Sequence, residues 1–169
     1  DEVNMANASA REITGNPEAV YQTDIGVGRF KYVDVNGDGI IDADDRTVLG
    51  NPNPTMSYGL NLGLTYKNWD FSAFLYGVAG NDIWNNVRWY TDFNSSFLGS
   101  AKSNTAVYNS WSPENMNAKA PIQQTVAYES TNNVPNSYFV ESGSYLRLRN
   151  VAIGYTIPEA WLARAKLKK

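Results

Sequence analysis

The residues best suited to chemistry in this sequence form one short acidic stretch, "DVNGDGIIDADD", at positions 34–45. Its spacing matches an EF-hand loop, in which oxygen-bearing side chains recur at fixed positions and a glycine allows a sharp turn at position six. A hard cation such as calcium takes about six to eight oxygen ligands. The predicted ligands are Asp34, Asn36, Asp38, the carbonyl group of Ile40, Asp42 and Asp45.

Two interpretations of the acidic stretch remain open. Without a cation it is a solvated Asp/Asn/Gly turn, in which closely spaced carboxylates repel one another and some pKa values rise. With a cation it is a structural Ca²⁺ site that orders an exposed loop. A sensor with two long helices is disfavoured, because "GNPNP" at positions 50–54 stops any helix that begins after Asp42. We therefore expect Ca²⁺ as a structural cofactor.

Composition argues against an enzyme and against a nucleic-acid partner. The chain has no cysteine and no histidine, which removes thiolate nucleophiles, Cys-ligated metals and the usual general base. A calcium-dependent hydrolase would have to use carboxylates such as Glu129 and Glu141, which no sequence pattern pairs. The net charge of -3 comes without a clustered basic face, so phosphate binding is not expected.

A β-hairpin is predicted over residues 57–77. Along "SYGLNLGLTY" every second residue is large and apolar or aromatic, and those between are small or polar. Lys67 and Asn68 form the expected tight turn, after which "WDFSAFLYG" resumes the alternation. Phe74 and Tyr76 interrupt the polar side of this second strand. The apolar side is predicted to comprise Tyr58, Leu60, Leu62, Leu64, Tyr66, Trp69, Phe71, Ala73 and Leu75.

The rest of the chain yields one further strand. Residues 144–157 alternate in two phases, Leu146 and Leu148 before Arg149 and Val151 to Tyr155 after it, which predicts a β-bulge near Arg149. Residues 1–33 are predicted to be an irregular loop with at most one helical turn at 17–22. Residues 78–143 lack a sustained period and are predicted to be a long loop. After Pro158 a short helical turn with a basic end is expected.

The alternating strands fit either a membrane barrel or a soluble sheet with one apolar face. No apolar run reaches the roughly 18 residues that a spanning helix needs, whereas a spanning β-strand needs only about 9–11. Tyr66 and Trp69 at the turn suit an aromatic girdle, and the glycines and short polar groups opposite suit a barrel lumen. Loops as long as 78–143 are typical of one side of such barrels.

The combination of motifs resembles the C-terminal barrel region of the SusC/RagA family of TonB-linked outer-membrane receptors. It is carried by the acidic loop, "GNPNP", the alternating hairpin, "GNDIWN", "SYLRLRNV" and "GYTIP", from about Phe30 onward. The resemblance implies an all-β fold class: antiparallel strands that form part of a transmembrane β-barrel, with long extracellular loops and an EF-hand-like calcium loop.

The resemblance also implies an organisation and a function. Residues 1–56 would be an extracellular segment that contains the calcium-type loop 34–45, and 57–77 a transmembrane hairpin. A long extracellular loop at 78–143, a transmembrane strand at 144–157 and a periplasmic turn at 158–169 would follow. The parent protein would lie in the bacterial outer membrane, in contact with lipid. It would import oligosaccharides or peptides with a SusD-type lipoprotein as lid, and its N-terminal part would contact TonB.

Aromatic residues in the long loop are the remaining candidates for ligand or lid contact, because amphipathic aromatic rings dominate such contacts. They are Trp84, Trp89, Tyr90, Phe93 and Trp111. The alternative is that these rings only pack the loop against itself. A second function also stays open, a secreted β-sandwich carbohydrate-binding module with a structural calcium, which would be soluble alone.

Overall fold

A computed structural model describes residues 2–96, 99 and 101–164 of the protein. The chain divides into two compact units. Unit 1 comprises Asp1–Leu49 and Trp84–Glu141, and unit 2 comprises Gly50–Ile83 and Ser142–Lys169. The acidic loop and the aromatic loop residues therefore belong to unit 1, and the long strands belong to unit 2.

Three long antiparallel strands dominate the regular structure, in the order β1-β2-β5. The expected all-β class is confirmed at this coarse level, although the sheet is not closed into a barrel within the described residues. The strands are β1 (Met56–Tyr66), β2 (Trp69–Ala79), β3 (Asp82–Trp84), β4 (Val140–Ser142) and β5 (Tyr145–Tyr155). The helices are α1 (Glu2–Thr14), α2 (Asn86–Thr91), α3 (Asn104–Tyr108) and α4 (Glu159–Arg164), with 3₁₀ turns at Ala43–Asp45 and Ser137–Phe139.

The predicted hairpin is present and is longer than expected. Its strands pair from Tyr66 opposite Trp69 at the turn to Met56 opposite Ala79 at the far end. Lys67 takes a left-handed conformation with φ of 52°, which lets the chain reverse direction in two residues. Each strand has eleven residues, so the hairpin extends beyond the predicted range of 57–77 at both ends.

A bulge in β5 brings both of its apolar phases onto one face of the sheet. Leu148 pairs with Leu75 and Asn150 pairs with Phe74, so Arg149 is the extra residue and the predicted bulge is confirmed. Directly paired residues share a face of an antiparallel sheet. The resulting apolar face comprises Tyr58, Leu60, Leu62, Leu64 and Tyr66 of β1, Trp69, Phe71, Ala73, Leu75 and Gly77 of β2, and Leu146, Leu148, Val151, Ile153 and Tyr155 of β5.

The opposite face of the sheet, here called the polar face, has a mixed composition. It carries Ser57, Gly59, Asn61, Gly63 and Thr65 of β1, Asp70, Ser72, Phe74, Tyr76 and Val78 of β2, and Tyr145, Arg147, Asn150, Ala152 and Gly154 of β5. Glycines leave room for larger neighbours, because the Phe74 ring lies against Gly59 and the Asp70 carboxylate lies across Gly154. The two aromatic residues that interrupt the alternation thus lie among small and polar groups.

Unit 1 has a small aromatic core. The rings of Phe30, Phe93, Tyr138 and Phe139 contact one another, with centroid separations from 5.2 to 6.3 Å. Phe139 is only 1% exposed and is the largest fully buried side chain among the described residues. Around this core several polar side chains are buried and hydrogen-bonded, including Gln22, whose amide bonds the Phe30 carbonyl and the Tyr32 N–H.

The expectation of an irregular loop over residues 1–33 is wrong at its start, because residues 2–14 form helix α1. Ala6 and Ala10, one turn apart, are its buried contacts. Such a narrow alanine stripe hardly registers as hydrophobic periodicity, although alanine strongly favours helix. The helical turn suggested at 17–22 is not formed; that segment consists of turns and bends.

The end of the described chain matches the prediction in part. Helix α4 follows Pro158, as expected for a proline at the helix start. The basic residues predicted at its end, in 165–169, lie outside the described residues. Among the residues that the structure describes, no helix has the length and apolar character to cross a membrane.

Candidate functional site

The first half of the acidic loop is ordered by its own side chains. The Asp34 carboxylate accepts hydrogen bonds from the Gly37 and Gly39 N–H groups at 2.6 and 2.8 Å. The side-chain oxygen of Asn36 accepts from the Asp38 N–H, and that of Asp38 from the Ile40 N–H, each at 3.0 Å. Consecutive Asx turns of this kind fold the chain tightly around the loop centre.

The second half of the loop is closed by Asp42 and Asp45. The two carboxylate oxygens of Asp45 accept from the Val35 and Asp42 N–H groups at 2.7 and 2.9 Å, so one side chain joins both ends of the loop. Hydrogen bonds from the Asp42 and then the Val35 N–H lower the pKa of Asp45 below its ordinary 3.8. Because the pKa of Asp45 is lower in the folded loop, its ionised carboxylate stabilises the fold at pH values above the ordinary pKa. This stabilisation is lost as the pH falls through the lowered pKa.

The structure brings all the predicted calcium ligands into one loop, but backbone N–H groups occupy several of their oxygens. Across residues 2–96, 99 and 101–164, no three His, Cys, Asp or Glu side chains are arranged to hold a metal ion. The donors are nonetheless hard carboxylate, amide and carbonyl oxygens, which suit calcium chemically. Calcium binding therefore stays a prediction, and it would require carboxylates such as Asp45 to exchange hydrogen bonds for the ion.

Helix α1 packs directly against the middle of the acidic loop. A Cβ atom placed on Gly39 would lie 2.9 Å from the Ile13 Cβ, so the helix approaches the loop closely at this glycine. Gly39 also has φ of +88°, a conformation that side chains rarely adopt. The Ile41 N–H donates to the Tyr21 carbonyl at 2.7 Å and ties the loop to the segment that follows α1.

We expect Gly39→Ala to destabilise unit 1 more than Gly37→Ala does. Both glycines have positive φ, so each alanine incurs about 1–2 kcal/mol of backbone strain. Only at Gly39 does the new methyl also collide with Ile13, since nothing lies within 4 Å at Gly37. Hydrogen exchange of α1 amides in the two variants measures the difference; equal protection would show that α1 does not pack on the loop.

Trp84, Trp89 and Tyr90, three of the predicted aromatic contact residues that lie close together in the sequence, are partly exposed. Trp84 is 46% exposed and packs one side on Phe139, with ring centroids 5.0 Å apart. Trp89 donates its indole N–H to the Asn132 carbonyl at 3.0 Å and meets the Tyr90 ring edge-on. Tyr90 is itself 46% exposed. These rings retain some free surface, although each is also a packing residue.

The other two aromatic residues act in packing. Phe93 is 3% exposed and lies in the aromatic core of unit 1, which corrects its prediction as a contact residue. Phe93 follows the C-cap residue of α2, and its ring packs against Phe30 and Tyr138. The Trp111 ring covers Gly28, where any Cβ would lie 2.5 Å from the ring. Packing of the loop against itself is therefore the better interpretation for Phe93, whereas Trp111 packs on Gly28 and keeps some exposed surface.

A buried polar network in unit 1 carries no signal in the sequence. The buried Asp92 carboxylate accepts from the Tyr138 hydroxyl at 2.7 Å. Arg88 bonds the Tyr138 carbonyl and forms an ion pair with Glu141, each at 2.6 Å. Burial and then the Asp92 hydrogen bond raise the pKa of Tyr138 well above its ordinary 10.0. Because Arg88 and Glu141 are 53 positions apart in the numbering, no local motif marks them.

In unit 2, two hydrogen bonds connect Asp82 of the motif "GNDIWN" to Asn51. The Asp82 carboxylate accepts from the Asn51 N–H at 3.0 Å, and the Asp82 N–H donates to the Asn51 carbonyl at 2.8 Å. Gly50 is required beside it, since a Cβ there would lie 2.7 Å from an Asp82 carboxylate oxygen. These hydrogen bonds therefore join Asn51 of "GNPNP" to Asp82 of "GNDIWN", two motifs that are separate in the sequence.

Comparison with known proteins identifies the class of protein to which the exposed apolar sheet face, the glycine-rich polar face and the looped acidic segment belong. No family model matches the chain. TonB-dependent receptor P26 of Formosa agariphila is 39% identical over 132 residues, which are 78% of this chain and 13% of that protein. TonB-dependent receptor P3 of the same organism is 34% identical over 137 residues, 81% of this chain and 13% of that protein.

A third relative bears the name of the family itself. TonB-dependent receptor SusC of Bacteroides thetaiotaomicron is 28% identical over 130 residues, 77% of this chain and 12% of that protein. The resemblance drawn from the sequence motifs is thereby confirmed, and the chain is a SusC-like receptor region. It spans about an eighth of the length of the curated relatives that it matches. Their names describe receptors and not enzymes.

Proposed function

We propose that this chain forms part of the barrel wall and extracellular loops of a TonB-dependent outer-membrane receptor. Unit 2 would span the bilayer through β1, β2 and β5. The segments that precede β1 and that join β2 to β5 would be extracellular, with a SusD-type lipoprotein as the external partner. The whole receptor would take up oligosaccharides or peptides with energy that TonB transmits. Similarity to proteins named TonB-dependent receptors, SusC among them, supports this function.

The observation that carries the proposal is the apolar face of the sheet. Its large side chains are mostly exposed, among them Leu60, Leu64, Leu146 and Ile153. Each strand has eleven residues, which matches the roughly 9–11 that a tilted strand needs to cross the hydrocarbon core. Trp69 packs on Tyr155 beside Tyr66 at the turn end, as in an aromatic girdle. A β-sandwich would instead cover this face with a second sheet, and none does so among the described residues.

Uptake by whole cells tests the receptor function. We expect cells that produce the full-length protein to accumulate labelled oligosaccharides or peptides, and to stop when its gene or tonB is deleted. Outer-membrane fractionation of the same cells should place the protein in that membrane. Recovery of the full-length protein from the soluble fraction would contradict the proposal and would favour the secreted binding module.

We also propose that Ca²⁺ orders the acidic loop on the extracellular side. The oxygen donors and their spacing support this role, as does the contact of Ile13 with Gly39, which would transmit loop order to α1.

Chelation is expected to loosen residues 30–50 without loss of strand content. The reason is that the three long strands of unit 2 pair independently of the acidic loop. Limited proteolysis of the protein with and without chelator measures loop access, and circular dichroism measures strand content. Asp34→Asn combined with Asp38→Asn should reproduce the chelated cleavage pattern, whereas Asp44→Asn, outside the ligand set, should not. An identical pattern with and without chelator would count against the ion.

A further inference from the structure

Two arginines on the polar face are held in place by tyrosine rings. The Arg147 guanidinium lies 5.0 Å from the centre of the Tyr145 ring, and that of Arg149 lies 5.5 Å from the centre of the Tyr76 ring. Tyr76 pairs directly with Arg147 across the strands, and the two tyrosine rings are 6.3 Å apart. Arg147, Arg149, Tyr76 and Tyr145 are here called the arginine cluster. It forms because the β-bulge places the extra residue, Arg149, on the polar face beside Tyr76. Stacking of this kind limits the freedom of a guanidinium and leaves its N–H edge available.

Among the described residues, no carboxylate forms an ion pair with this arginine cluster. Within the part of the chain that the structure describes, neither guanidinium donates a hydrogen bond or forms an ion pair. Asp70 is the other charged group on this face, six positions from Tyr76 along β2. At a strand rise of about 3.3 Å per residue the separation is about 20 Å, more than twice the Debye length of about 8 Å at physiological salt. The Asp82 carboxylate, another acidic group of unit 2, already accepts a hydrogen bond from the Asn51 N–H.

A second feature lies in the next row of the sheet. Asn61, Phe74 and Asn150 pair across β1, β2 and β5, so one aromatic ring stands between two amide side chains. The Phe74 ring packs against Gly59, which has no side chain. A ring flanked by amides suits a sugar, because the C–H face of a sugar can lie on the ring while its hydroxyl groups bond the amides.

We propose that the polar face carries a subsite for an acidic oligosaccharide, whose carboxylate binds Arg147 and Arg149 while a sugar ring lies over Phe74. The inference rests on the proposed receptor function and narrows its substrate class to saccharides that bear carboxylates. Paired guanidinium groups favour a carboxylate because each can donate two parallel N–H bonds. A peptide carboxylate would use the same charges, but a saccharide fits the ring between two amides more closely, with its C–H face on the ring and its hydroxyl groups on the amides.

Binding to the purified full-length receptor in detergent tests the subsite. Calorimetric titration would compare hexagalacturonate with maltohexaose, a neutral saccharide of equal length. The double variant Arg147→Gln/Arg149→Gln should weaken hexagalacturonate binding about 100-fold, since two charge-assisted bonds are worth about 1.5 kcal/mol or more each. Arg147→Lys/Arg149→Lys should lose less, because it keeps the charge. Lys67→Gln removes a positive charge from the same sheet at the turn and should have no effect.

Each outcome separates the subsite from the transport function. Equal affinity of the parent receptor and the double Gln variant for hexagalacturonate, or no preference over maltohexaose, would overturn the subsite. Tighter binding of an acidic hexapeptide than of hexagalacturonate would overturn its assignment to saccharides. The titration needs neither TonB nor an energised membrane, so a receptor that binds through these arginines but fails to import would contradict the transport function alone.

Discussion

Replacing Leu62 by arginine is expected to prevent assembly of the full-length receptor in the outer membrane, whereas arginine at the adjacent Asn61 should be tolerated. Leu62 lies near the middle of β1 on the apolar face, opposite Ala73. Asn61 lies one residue away on the polar face, opposite Phe74. Arginine on the lipid face near the bilayer midplane costs about 2–4 kcal/mol, whereas lumen positions accept charge.

The pair is a matched control because both variants gain the same side chain at neighbouring positions of one strand. The fraction of folded receptor in outer-membrane preparations, resolved by its heat-modifiable mobility in gels, reports assembly. A loss of about 30-fold or more in the folding equilibrium is expected for Leu62→Arg. If both variants assemble equally well, the face with Leu62 does not contact lipid and the proposed placement of unit 2 fails.

The second large effect is expected in unit 1. Phe139→Ala should destabilise this unit by about 3–5 kcal/mol, the usual cost of removing a fully buried aromatic ring. The Phe139 ring contacts Trp84, Phe93 and Tyr138, so its loss opens a cavity at the centre of the core. A domain has only about 5–15 kcal/mol of stability in total, so the variant should lose a large share of it.

Hydrogen exchange of unit 1 amides in the full-length protein measures this loss, with unit 2 amides as an internal reference. Tyr108→Ala is the control, because Tyr108 is 81% exposed and its removal should change stability by no more than about 0.5 kcal/mol. Unchanged protection near α2 in Phe139→Ala would mean that the aromatic core does not hold unit 1 together.

Much of the structure of unit 2 could be predicted from the sequence, because its strands, turn and bulge are each set by residues that are close together in the chain. Period-two alternation identified β1 and β2, and Lys67–Asn68 identified their turn. The change of phase around Arg149 predicted the bulge, which the register confirms. The facing of β5 could not be predicted, however. The two apolar phases of β5 lie on one face only because β5 pairs with β2, whose residues are 67 to 86 positions from their partners.

Unit 1 was less predictable because its order comes from non-local contacts. The aromatic residues of the long loop were identifiable, but their accessibility was not, since burial of Phe93 depends on Phe30 and Tyr138. The Asp92 to Tyr138 bond and the Arg88 to Glu141 ion pair likewise join distant segments. Helix α1 was missed because its buried stripe is two alanines wide.

The sequence by itself determined the alternating strands, the turn, the bulge and the acidic loop, because each depends on residues within about one element of one another, and its combination of motifs indicated the receptor class. Only the tertiary structure decided which side chains meet. It united the apolar residues of β1, β2 and β5 on one face and gathered Arg147, Arg149, Tyr76 and Tyr145 on the other. It also set α1 against Gly39. The physical reason is that strand pairing and core packing select partners by shape and burial across the chain, which no local pattern encodes.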